Sequence, residues 1–175
     1  KKYICTTPFN FSSFTDIINA KDKRSNYSEK YGVGGNMRSF PLFYGWQQVS
    51  SIIDDDYEFV KKHLQNRSID INQPTPDGNT FLMAATTYQH LSIVNLLLEY
   101  GADPNMTNIK IGNLCSLYVA SKKGYYEIVE TLFNYGANPD IINSKGETSL
   151  MAATRQNNLP IVKLLLRHGA NPNII

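Results

Sequence analysis

Apolar and polar positions alternate along the chain in one recurring order. The clearest copy is Thr80–Asn105, "TFLMAATTYQHLSIVNLLLEYGADPN". A short apolar cluster around Leu82 and Ala85 is followed by a polar break. A second cluster at Ile93, Val94, Leu97 and Leu98 then leads into Gly-Ala-Asp-Pro-Asn. Cys115–Asp140, "CSLYVASKKGYYEIVETLFNYGANPD", and Thr148–Asn173, "TSLMAATRQNNLPIVKLLLRHGANPN", repeat that order. Aligned on Leu82, Leu117 and Leu150, the copies step by 35 and 33 residues, and Gly101, Gly136 and Gly169 step by the same amounts. A fixed period of this length indicates a repeat architecture.

Each copy predicts two short helices. Thr80 and Thr148 are suited to cap the first, and its small alanines Ala85 and Ala153 permit close approach of neighbouring helices. The i, i+1, i+4, i+5 spacing of Ile93, Val94, Leu97 and Leu98, and of Ile161, Val162, Leu165 and Leu166, predicts a second helix with one buried stripe. The glycine after it suits the left-handed position that ends a helix. One helix pair has apolar residues on too many faces to bury alone, so the units are expected to stack side by side. A two-residue insertion in the middle copy falls between Asn105 and Cys115, in the predicted connecting loop.

Upstream, Trp46–Asn72 keeps the second-helix pattern in Phe59, Val60 and Leu64 but carries Gln48, Ser50 and Ser51 where the first helix should be apolar. That predicts a capping repeat with a more polar outer face. Residues 1–40 lack the pattern. They offer a short helix from about Ser12 to Ala20 and irregular chain after it, and their aromatics, Phe9, Phe11 and Phe14 among them, are expected to pack over the flank of the first repeat, with disorder or a partner-binding arm as the alternatives. The apolar end at Asn173-Ile174-Ile175 is expected to continue into further repeats.

The motif Thr-x-Leu-x-x-Ala, then Leu-x-Ile-Val-x-Leu-Leu-Leu-x-x-Gly-Ala-Asp/Asn-x-Asn, resembles the ankyrin repeat. The resemblance covers about residues 46–175 and implies an all-α solenoid of stacked helix-turn-helix units with projecting hairpin loops and a concave face. The implied organisation is a non-repeat segment over 1–40 and an ankyrin-repeat domain over 41–175, with repeats near 43–74, 75–108, 109–142 and 143–175. The family's usual Thr-Pro-Leu-His is replaced by Thr80-Phe81-Leu82-Met83, Cys115-Ser116-Leu117-Tyr118 and Thr148-Ser149-Leu150-Met151. The histidine that ties neighbouring repeats by hydrogen bonds is absent from all three, so packing is expected to replace those bonds. The inter-helix glycine stands as Gly124 in one copy, with Asn157 and Gln89 in the others.

Composition adds little chemistry. The chain has 175 residues, 42% of them hydrophobic, and a formal net charge of +2. That balance lacks the broad basic stripe of a nucleic-acid binder, and no nucleic-acid partner is expected. No apolar run approaches the roughly 20 residues that span a bilayer. Cys5 and Cys115 are isolated and read as free thiols of a reducing, cytoplasmic setting, with nucleus or host-cell cytosol as alternatives. The Asn-x-Ser/Thr sequons at Asn10, Asn26, Asn66 and Asn105 are expected to be chance in an Asn-rich chain. His63, His90 and His168 share no short spacing, so no metal site is expected. "YGVGGN" at Tyr31–Asn36 lacks the Lys-Ser/Thr of a phosphate loop, and "DDD" at Asp54–Asp56 reads as a helix-starting cluster. No cofactor and no enzymatic activity are expected.

The resemblance implies that a partner meets hairpin tips and first-helix ends. The tips carry Asp77 and Asn79, Lys110 and Ile111, then Lys145 and Glu147. The helix ends carry Thr87 and Tyr88, Lys122 and Lys123, then Arg155 and Gln156, and Tyr125 joins Tyr88 as an aromatic anchor. Residues 73–108 contain no Lys or Arg, whereas residues 142–175 hold Lys145, Arg155, Lys163 and Arg167 against Glu147 alone. The concave side is therefore expected to become basic toward the C-terminus and to grip an acidic part of a partner protein at Lys122, Lys123 and Arg155. The alternative is a regulatory or substrate-recruiting module of a larger multidomain enzyme or secreted effector.

Overall fold

The computed structural model describes residues 52, 54–65, 70–75 and 77–174. The expectations for residues 1–40 and for the first helix of the capping repeat lie outside the described residues. Among the described residues, the α-helices with assigned bounds are α1 Tyr57–Gln65, α2 Phe81–Thr87, α3 Leu91–Glu99, α4 Ser116–Lys123, α5 Tyr126–Asn134, α6 Ser149–Arg155 and α7 Leu159–Arg167. Inner helices α2, α4 and α6 pack in a row, and outer helices α1, α3, α5 and α7 form a second row behind them.

Each inner helix starts at a side-chain cap. The hydroxyls of Thr80 and Thr148 accept the backbone N–H of Met83 at 3.2 Å and of Met151 at 3.3 Å. Cys115 Sγ takes the same position for the Tyr118 N–H at 3.5 Å, which explains how a thiol substitutes for threonine. Asp56 of the acidic cluster accepts the Phe59 N–H at 3.0 Å and so opens α1. The inner row closes over Ala85, Ala120 and Ala153, all fully buried, because only a methyl group fits between helices so close together.

Outer helices α3, α5 and α7 end identically. In α3, Gly101 N–H donates to Leu98 and Ala102 N–H to Leu97, and the pairs Gly136–Phe133 with Ala137–Leu132 and Gly169–Leu166 with Ala170–Leu165 repeat this. These are paired 5→2 and 6→1 bonds around a left-handed residue, with glycine φ of 91°, 81° and 82°. The predicted glycine role is present in all three copies, and the alanine that follows is buried each time. Between the helices, Gln89 (φ 61°), Gly124 (φ 85°) and Asn157 (φ 54°) share one left-handed position. Glutamine holds it at a steric cost, since its Cβ crowds the following carbonyl.

The outer-helix core departs from expectation at one copy. Ile93, Val94, Leu97 and Leu98 are all buried, as are Ile161 and Leu165, but Val162 is half-buried and Leu166 is 45% exposed. Leu164 is buried, as is its counterpart Leu96. Leu98 faces a row in which α5 follows α3, whereas among the described residues no helix follows α7 on that side. In the capping repeat, Val60 and Leu64 are buried and Phe59 half-buried, as the pattern predicted.

Candidate partner-binding face

Three hairpin loops connect the helix pairs and hold tips over residues 75–79, 107–115 and 143–147. In the first, Thr75 and Asn79 close the turn backbone to backbone at 2.8 Å, and in the third Asn143 and Glu147 do so at 3.0 Å. Among the described residues, the inserted loop alone forms strands, β1 Thr107–Asn108 and β2 Leu114–Cys115. They pair antiparallel in the register Thr107↔Cys115 and Asn108↔Leu114. A 3₁₀ turn, Ile109–Ile111, fills the tip.

Asn108 locks the first tip to the second. It is fully buried, and its amide donates to Asp77 C=O at 3.0 Å and to Asn79 Oδ1 at 2.8 Å while its own Oδ1 accepts the Lys110 N–H at 3.0 Å. Gly78 is required opposite it, because a Cβ there would sit 2.4 Å from Asn108 Oδ1 and the backbone is at φ 81°. The second tip meets the third through Ser144 N–H to Gly112 C=O at 2.9 Å and Asn113 Nδ2 to Ile142 C=O at 2.9 Å.

A polar cluster strengthens this second seam. Tyr118, on α4, donates its hydroxyl proton to Glu147 Oε2 at 2.7 Å, and Asn143 Nδ2 donates to the same oxygen at 3.3 Å. Arg155, at the end of α6, forms an ion pair with Glu147 Oε1. Hydrogen bonds from Arg155 and Tyr118 to the ionised carboxylate hold Glu147 down to about 2. Burial, then the adjacent Glu147, push the Tyr118 phenol up. Burial likewise pushes the Cys115 thiol up, which disfavours the reactive thiolate.

The expectation that packing alone replaces the missing histidine bonds is therefore corrected. Tyr118 occupies the histidine's place in its copy and reaches across to the next hairpin. A second ladder runs along the post-helix turns. Asn72 donates to Gly101 C=O and accepts from Asp103 N–H; Asn105 does the same with Gly136 and Asn138; Asp140 accepts from Asn171 N–H. The recurrent final Asn/Asp of the motif is an inter-repeat tie, a role the spacing alone did not reveal.

The sequence-predicted contact residues fall into two groups. Thr87, Lys110, Ile111, Lys122, Lys123, Lys145, Arg155 and Gln156 are exposed. Asp77, Asn79, Tyr88, Tyr125 and Glu147 are half-buried, and several of them work inside the stack. Asn79 accepts from Asn108, Glu147 holds the seam, Tyr88 stacks over His90 at 6.2 Å, and Tyr125 is the N-cap residue of α5. Lys122 and Lys123 close α4, where cations suit the helix dipole. Lys163 and Arg167 lie on α7, in the outer row, where they line a shallow depression with Tyr126, Leu159 and Pro160. They add nothing to the basic character of the inner-helix ends. Sequence reasoning missed Tyr118, Asn108 and Asn143, although tyrosine in the histidine slot was a visible signal.

The histidines take structural places. His90 precedes α3, with Nδ1 3.5 Å from Asp55 Oδ1; His168 ends α7 and stacks on Phe133 at 4.2 Å; His63 sits one turn after Phe59. Among the described residues, no group of His, Cys, Asp and Glu could hold a metal ion, and no helix is long and apolar enough to cross a membrane.

Rows of paired helices with bonded tips define a helical repeat protein. The family profile for ankyrin repeats (3 copies) matches residues 49–108 and 108–175, and the chain belongs to the ankyrin-repeat family. Such repeats are generally protein–protein interaction modules. The ankyrin repeat protein FPV222 of Fowlpox virus (strain NVSL) is 40% identical over 55 residues, which is 31% of this chain and 7% of the viral protein's length. The chain thus matches only a small part of that relative.

Proposed function

We propose that the chain is a non-catalytic interaction scaffold. It holds a segment of another protein against the hairpin tips and inner-helix ends, the concave side implied by the family frame. The carrying observation is the packing of α4 on α6, with exposed Lys122 and Lys123 at the end of the one and exposed Arg155 and Gln156 at the end of the other. An acidic stretch of the partner meets the two lysines, and Tyr88 and Tyr125 supply aromatic contact area. Arg155 is already bonded to Glu147, so it borders the acidic contact and is not its principal cation. Reversing Arg155 would also set two carboxylates against each other and disturb the seam, which makes the two lysines the cleaner probe.

The test is affinity capture from native extract with wild-type protein and with Lys122→Glu/Lys123→Glu. Loss of the captured partner at unchanged circular dichroism supports the reading, and equal capture removes it. The role of regulatory module in a larger enzyme or effector would use the same face, with the catalytic groups lying outside these residues.

A further inference from the structure

The middle hairpin differs from its neighbours in what it shows to solvent. The first tip carries the half-buried Asp77-Gly78, and the third exposes the polar Ser144 and Lys145 ahead of a half-buried Gly146. The middle tip is longer by two residues and presents Ile109-Lys110-Ile111. Ile109 is 83% exposed and Ile111 51%, and Ile142, beside the seam to the third hairpin, is 46% exposed. Isolated apolar side chains on a surface are ordinary. Three isoleucines around one seam, two of them on an insertion, form a local apolar patch.

The patch is also held still. Asn108 caps the 3₁₀ turn through the Lys110 N–H, Gly112 ends it at φ 93°, and Ser144 N–H fixes Gly112 C=O from the next hairpin. A Cβ on Gly112 would lie 2.9 Å from Ser144 Oγ, so the two loops are in close contact. A tip already ordered loses little further entropy when it is covered, and that favours its use as a contact point. On the third hairpin the cation Lys145 is exposed, while that hairpin's acid, Glu147, is engaged by Tyr118, Asn143 and Arg155. The charge that complements this edge is negative.

We infer that the Ile109–Ile111 tip with Ile142 is a preformed anchor for a bulky apolar side chain of a partner protein, carried next to carboxylates that meet Lys145. This rests on the scaffold reading above and places a second contact point on the partner segment, beyond Lys122 and Lys123.

The test uses an array of synthetic peptides in three composition classes: acidic only, apolar only, and acidic with Leu or Phe alongside. Peptides of the mixed class should bind the full chain best. In solution, anisotropy of a labelled mixed-class peptide should show about tenfold or greater weakening for Ile109→Ser/Ile111→Ser, the scale expected when buried isoleucine surface is lost. Circular dichroism should remain native, since both positions are exposed. Ile142→Ser alone, on a different hairpin, should weaken the same peptide less.

Undiminished binding by the folded Ile109→Ser/Ile111→Ser variant overturns the anchor. If Lys122→Glu/Lys123→Glu abolishes that same binding, the scaffold reading survives the loss. Binding equal across the three classes, or no peptide bound at all, also overturns the anchor. A concentration-dependent dimer that disappears in Ile109→Ser/Ile111→Ser would assign the patch to a second copy of the chain and overturn the partner assignment.

Discussion

The two hairpin seams do one job with different chemistry. Between the first and second tips the tie is a neutral, buried amide, Asn108, set against a glycine that leaves it room. Between the second and third it is a carboxylate, Glu147, that gathers a phenol, an amide and a guanidinium. The amide seam depends on fit and burial, and its tie carries no charge, so its response to pH and salt should be the smaller. The carboxylate seam has a titrating centre and an exposed cation, so it should respond to both. One repeat geometry thus tolerates unlike chemistry at equivalent junctions, as long as the groups that tie the tips are themselves bonded.

Breaking the amide seam should cost most. Asn108→Ala leaves Asp77 C=O and the Lys110 N–H without their partner, and should remove about 3 kcal/mol of stability, the upper range for stranding buried polar groups. Gly78→Ala should act in the same direction through collision with Asn108 and its left-handed backbone. Equilibrium urea unfolding checks both, and a loss no greater than that of an exposed-site control would show that the clamp is not structural.

Tyr118→Phe probes the other seam with a smaller loss, about 1 kcal/mol, because one hydrogen bond is removed and the ring still packs. The same approximate size with opposite sign is expected for Gln89→Gly, which relieves a left-handed glutamine. A higher melting temperature would support that account, and no change would mean the strain is not stored there.

The pH response sharpens the contrast further. Glu147 has its folded-state pKa lowered from 4.5 to about 2. Its contribution is complete above the unfolded value and is lost as pH falls from about 4.5 through about 2. Glu147→Gln should flatten that part of the stability profile, while Asn108→Ala should shift the whole profile and keep its shape. The smallest effect should be from Arg155→Gln, since the guanidinium is more than half exposed: a slight fall in melting temperature that added salt diminishes.

Much of the frame was legible in the sequence because it depends on periodic residues. Leucines at Leu82, Leu117 and Leu150, the alanines between inner helices and the glycines after outer ones each do the same thing in every copy. The seams were harder to read because they depend on residues that differ between copies. Nothing in the spacing of Asn108 or Asn143 says that an amide will face the preceding tip or fold back on its own. Glu147 and Arg155 looked like surface charges until the hairpin brought them together with Tyr118. The exposure of Ile109 could not be inferred either, since an isoleucine in a lengthened loop is equally able to turn inward.

On the proposed reading, shared positions build the stack while unlike surface positions hold the partner. Its most direct test is to measure an acidic protein segment's affinity and the melting temperature together, for wild type and Lys122→Glu/Lys123→Glu. Affinity should fall by about tenfold or more, as for loss of paired interface charges, with melting unchanged. Unchanged affinity in the folded variant would contradict it.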